Sequence, residues 1–105
     1  MSTITELLNN NSIILLDGGV STEIQQRGVA MDNQAWSALA TRTHPGVVRE
    51  VHEDYIRAGA QVITANTYST ARHVLESIGL GEETRAINTE AVQVARRALL
   101  IPVHV

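Results

Sequence analysis

Two short aliphatic runs, each closing on a polar cluster, constrain this chain more than any other feature. The first is Ile13–Leu16, and it stops on Asp17-Gly18-Gly19. The second is Val62–Ala65, which stops on Asn66-Thr67-Tyr68. Apolar residues on consecutive positions are the pattern of a strand covered on both faces, not of a hairpin strand with one wet side. Such strands need something above and below them, and the intervening sequence supplies helices.

Thr3 to Asn9 reads as a short leading helix. Thr3 and Glu6 have the spacing of a capping box, and the Asn9-Asn10-Asn11 run ends the helix. A helix or a pair of short helices is expected from Ser21 to about Ala40. His44-Pro45 opens the next one, because proline is tolerated in a first helical turn. Along it Val48, Val51, Tyr55 and Ala58 recur at helical spacing, while Arg49/Glu53 and Glu53/Arg57 can pair on the outer face. Gly59 is a natural stop. Ser69 to Gly79 reads as a short helix. Glu82 to Leu100 reads as a longer one with Ile87, Ala91, Val94, Ala95 and Ala98 on one side. Ile101–Val105 has the composition of a third strand.

The order β-α-β-α-β implies a parallel sheet with right-handed crossovers. Both a doubly wound sheet and a (β/α)8 barrel begin in this way, and both place ligands at the carboxyl ends of their strands. Asp17-Gly18-Gly19 and Asn66-Thr67-Tyr68 therefore fall on one rim. A barrel needs about 250 residues, and this chain has 105. Three strands would leave open sheet edges, so self-association through those edges is expected.

Charge and composition narrow the chemistry. The formal net charge is −3 and no basic cluster is present, which disfavours nucleic acid as a partner. There is no cysteine, so thiolate metal sites within the chain are excluded. "MSTITELLNN" lacks the basic start and apolar run of a signal peptide, and no segment is long enough to span a bilayer. A cytoplasmic location with no membrane partner is expected. "DGGVSTE" matches neither phosphate-cradling glycine pattern, which disfavours a nucleotide-binding domain. The four histidines, His44, His52, His73 and His104, have no metal-ligand spacing, and packing or solvated roles are expected of them.

"ILLDGGVSTEIQQRG", a following Trp-Ser pair and "HPGVVREVHEDYIRAGAQVITANTY" together resemble the N-terminal part of the homocysteine S-methyltransferase family. The resemblance runs from about Ile13 to Ala98. It implies a (β/α)8 TIM barrel, of which residues 1–105 would be an incomplete, N-terminal third of the homocysteine-binding domain. It also implies transfer of a methyl group from a donor such as S-methylmethionine, betaine or a methylated folate or cobalamin to the homocysteine thiol, giving methionine. In the family a zinc ion held by three cysteines binds that sulfur. Those ligands are absent from this chain, so an inactive portion is expected. The alternative is a non-catalytic amino-acid-binding or assembly module that completes its sheet with another chain.

The resemblance also assigns roles residue by residue. Asp17 would face the homocysteine ammonium, with Gly18 allowing close backbone approach. Spacing alone leaves Asp-Gly-Gly equally well explained as a turn. Trp36 would lie near a cationic donor, or else pack under a loop. Asn66 and Thr67 would bind the substrate carboxylate or organise Asp17, the alternative being that Thr67 or Ser69 caps a helix. Ser21 or Thr22 reads as a helix cap. The candidate substrate-binding set is thus Asp17, Gly18, Trp36, Asn66 and Thr67, with no catalytic residue and no metal ligand.

Overall fold

The computed structural model describes residues 3–101. It opens with helix α1 (Ile4–Asn9), where Thr3 Oγ1 accepts from the Glu6 N–H at 3.2 Å, the first half of the expected capping box. Helix α2 (Val20–Gln26) follows, then an irregular loop, α3 (Ala40–Thr43) and α4 (Pro45–Arg57). The chain continues through α5 (Arg72–Ser77), a 3-10 turn (Gly81–Glu83) and α6 (Thr84–Ala98).

The two aliphatic runs lie side by side in parallel, joined by one bridge between Leu16 and Val62. Val62 O accepts from the Asp17 N–H at 3.0 Å, and Leu15 O from the Gln61 N–H at 2.8 Å. The Gln61 side-chain oxygen accepts from the Leu15 N–H at 3.0 Å. This is less than the expected regular strands over 13–16 and 62–65: among the described residues no segment reaches strand length. Nor is the first run covered on both faces, since Ile13 is 85% and Leu16 68% exposed. The two runs pair through that single bridge and no further rung follows among the described residues. Of the expected third strand, Ile101 is a bend after α6, and 102–105 lie outside the described residues.

The helices follow their patterns more closely. Ile87, Ala91, Val94, Ala95 and Ala98 form the buried face of α6 as expected. On α4, Val48 and Val51 are buried, while Ala58 is left at the exposed C-terminus. Gly59, at φ +112°, takes the chain out of α4 in a conformation that favours glycine. One core cluster joins Ile24, Val29, Ala40, Val48, Val51 and Val94, and a second joins Ala35, Ala38, Leu75 and Ile87. Each fully buried branched aliphatic stabilises by about 1.5–3 kcal/mol. Arg49 and Arg57 pair with Glu53 at 3.3 and 3.8 Å as the spacing predicts.

Two cap expectations are corrected. Gly19, not Ser21 or Thr22, is the N-cap of α2, and no side chain caps it. The Ser21 hydroxyl instead meets Ser37 Oγ at 2.6 Å. Likewise Ala71 precedes α5, so neither Thr67 nor Ser69 caps it. Thr70 instead ties that turn to α6: its hydroxyl lies closest to Asn88 Oδ1, and its carbonyl accepts from Asn88 Nδ2 at 2.8 Å.

Candidate functional site

A cavity of about 450 Å³ opens where the two parallel runs end. Asp17, Gly18, Ser21, Trp36, Asn66 and Tyr68 are among its lining residues. Four of the five expected site residues therefore meet at one place. Thr67 does not line it. Its N–H donates to Ala65 O at 2.7 Å, and Tyr68 faces the cavity in its stead.

Asp17 is held by the second run. Its Oδ2 accepts from the Thr64 N–H at 2.8 Å, and its Oδ1 from the Thr64 hydroxyl at 3.1 Å. Each carboxylate oxygen keeps further acceptor capacity. By position Thr64 belongs to an apolar run. The signal was available, because its hydroxyl is the one polar side chain inside "VITA".

Gly18 has a different reason to be glycine than ligand approach. A Cβ there would stand 2.8 Å from Tyr55 Oη and 3.2 Å from Tyr55 Cε1. The Tyr55 hydroxyl donates to Gly19 O at 3.1 Å. Burial, reinforced by the Glu23 and Asp17 carboxylates, raises the Tyr55 phenol, so it stays a donor. Tyr55 thus pins the Asp-Gly-Gly turn to α4.

Asn66 is 3% exposed and fully engaged. Its Nδ2 donates to Ser37 O at 2.9 Å and to Thr41 Oγ1 at 3.1 Å, and its Oδ1 accepts from Ser37 Oγ at 2.9 Å. One amide hydrogen is spent on the loop that carries Trp36, at Ser37 O, and the other on Thr41 of α3. Trp36 itself is 55% exposed and has φ +52°. Its ring meets that of Tyr68 edge-on, with centroids 6.5 Å apart at 65°. Asp32 builds the turn before it. Asp32 Oδ1 accepts from the Gln34 and Ala35 N–H groups at 2.8 Å, and those bonds lower the Asp32 carboxyl.

His52 is wholly buried on α4, and neither ring nitrogen has a hydrogen-bond partner. Desolvation lowers its pKa, and the charge on Asp17 opposes that only in part. The neutral form is therefore the folded form. The unfolded chain binds the proton first as pH falls below 6.5. Stability due to neutral His52 is complete above that value and drains away as the pH drops toward the lowered folded value. The melting temperature of the chain should fall between pH 7.5 and pH 5.5, and His52→Leu should flatten that slope. An unchanged slope in the variant would assign the acid sensitivity elsewhere.

Among the described residues no group of three His, Asp or Glu side chains could hold a metal ion, and the chain has no cysteine. The donor set that a thiolate-binding zinc requires is not here. No helix of the described residues is long and apolar enough to cross a membrane.

Residues 14–100 match the family described as Homocysteine S-methyltransferase. The chain belongs to the homocysteine S-methyltransferase family. The Homocysteine S-methyltransferase of Escherichia coli strain K12 is 38% identical over 93 residues, covering 88% of this chain and 30% of that protein. Homocysteine S-methyltransferase 3 of Zea mays is 35% identical over 86 residues, covering 81% of this chain and 25% of that one. The solved structure of the homocysteine methyltransferase MmuM from Escherichia coli in its oxidised form superposes with a TM-score of 0.83 at 35% identity. It covers 94% of this chain, and this chain covers 34% of it. The metallated form of the same enzyme superposes at 0.78. This homocysteine S-methyltransferase family chain therefore spans between a quarter and about a third of the relatives it matches. Over that span it shares their fold, and metal binding belongs to the metallated relative.

Proposed function

We propose that the cavity is the amino-acid-recognising end of a homocysteine S-methyltransferase (β/α)8 barrel, to which this chain contributes the leading β-α-β-α-β portion. The observation that carries this reading is the Asp17 carboxylate, fixed from behind by Thr64 and open to the cavity. An α-ammonium group fits such a carboxylate as a charge-assisted donor. The Trp36–Tyr68 pair offers aromatic faces to a cationic donor such as S-methylmethionine. Asn66 is part of the wall, with both amide hydrogens committed to Ser37 and Thr41, and Thr67 lies outside the lining.

The reaction of the whole protein would be an in-line displacement. The homocysteine thiol gives up its proton, its sulfur bonds to the donor methyl carbon, and the methyl–sulfonium bond breaks toward the donor sulfur. Two methionines and one proton result when the donor is S-methylmethionine. Zinc is the metal that the resemblance implies for the thiolate, but these residues do not fit it and no step here runs through it. The chain alone is accordingly proposed to bind without turning over, in the cytoplasm.

An NMR titration tests this. L-Homocysteine should perturb the Asp17, Gly18 and Thr64 amides at lower concentration than 4-mercaptobutanoate, which lacks the ammonium group. Equal responses would sink the reading. Methionine formed by the chain alone from homocysteine and S-methylmethionine would refute the inactivity.

One observation favours a second reading, an assembly module. Ile13, Leu15 and Leu16 form an exposed aliphatic edge. Pairing of that edge with another copy would give a concentration-dependent dimer in sedimentation.

A further inference from the structure

Trp36 adopts a backbone conformation that a bulky side chain rarely holds, and it does so at the mouth of the cavity. Such residues persist only where their surroundings over-determine them. Two sets of bonds bracket this one. On its own loop, the Asp32 and Trp36 backbones exchange hydrogen bonds, Asp32 N–H to Trp36 O at 3.0 Å and Trp36 N–H to Asp32 O at 2.9 Å. From across the rim, Asn66 grips the very next residue, Ser37, at both its carbonyl and its hydroxyl.

We infer that Asn66 is a positioning residue, whose side-chain amide holds the Trp36 ring against Tyr68 at the cavity rim by donating to Ser37 O and Thr41 Oγ1. Three properties of the site carry this. Asn66 is buried, so its bonds are not diluted by water. Its two amide hydrogens are both used, so it has none to offer a ligand. It belongs to the run that holds Asp17 through Thr64, so one segment sets the acidic wall and the aromatic wall together. The spacing between the two walls is then a property of the 64–66 segment and not of the irregular 27–39 loop alone. The consequence for donor choice rests on the function proposed above, whereas the positioning role does not.

Trp36 is the only tryptophan, and its edge contact with Tyr68 should give a near-ultraviolet circular dichroism band that reports on this geometry. Asn66→Ala should reduce that band by about half or more as the aromatic pair separates, with the far-ultraviolet helical signal unchanged. Ser37→Ala keeps the carbonyl that Asn66 grips and should keep most of the band. A full band in folded Asn66→Ala, or equal losses in both variants, would overturn the inference. Should Asn66→Ala not fold, the unaltered chain still decides. The Asn66 side-chain amide protons and the Trp36 backbone N–H, each referred to its own intrinsic exchange rate, should be protected equally, as members of one opening unit, and unequal protection would overturn the inference. Trimethylsulfonium serves as a cationic probe in the same samples. If it leaves the unaltered band untouched, the donor-facing reading of the rim fails, while the variants still settle whether Asn66 positions Trp36.

Discussion

Asp17→Ala should erase the preference of the chain for L-homocysteine over 4-mercaptobutanoate. The expected loss is about 2–3 kcal/mol, a roughly 30- to 160-fold weaker response, for a charge-assisted bond removed from a partly shielded site. The size follows from the geometry. Thr64 already donates to both oxygens, so the carboxylate does not have to be ordered when a ligand arrives. Asp17→Asn separates charge from shape. The amide nearly conserves volume but carries no charge and puts an NH2 where one accepting oxygen stood, so it should fall close to the alanine variant. The mercaptobutanoate titration should be unaltered in both. If homocysteine binds Asp17→Ala as tightly as the unaltered chain, the ammonium is not read here.

Gly18→Ala should lower the melting temperature by on the order of 5–20 °C, for about 1–3 kcal/mol of overpacking in a chain of this size. The added methyl would meet the Tyr55 hydroxyl at 2.8 Å, and Tyr55 cannot retreat without giving up Gly19 O. A double-mutant cycle with Tyr55→Phe isolates the contact. Removing the hydroxyl removes the closest atom, so Gly18→Ala should cost less in that background by at least about 0.5 kcal/mol. Equal costs in the two backgrounds would mean that the glycine is needed for some reason other than Tyr55.

The helices were largely legible because their periodicity is local. The buried stripe of α6 and the outer ion pairs of α4 follow from spacing alone. The rim was legible as a place, since Asp17 and Asn66 do meet, but individual roles were not. Asn66 faces inward to Ser37 and Thr41 because a buried amide must spend its hydrogens, and those partners lie 29 and 25 residues away in the chain. Gly18 reads as a ligand-facing glycine until Tyr55, a member of an apparently ordinary helical stripe, is seen to occupy the space. The expected strands shrank to one rung for another non-local reason. Continuous apolar runs announce burial and say nothing of which residues do the burying.

The Asp17–Thr64 contact joins residues 47 apart in the chain. Helical turns close in a fraction of the time that so long a loop needs, so the acidic grip is expected to be among the last features to mature as the polypeptide collapses. A small molecule that clasps Asp17 would then act as a pharmacological chaperone, trapping the closed register and shifting the balance away from half-made forms.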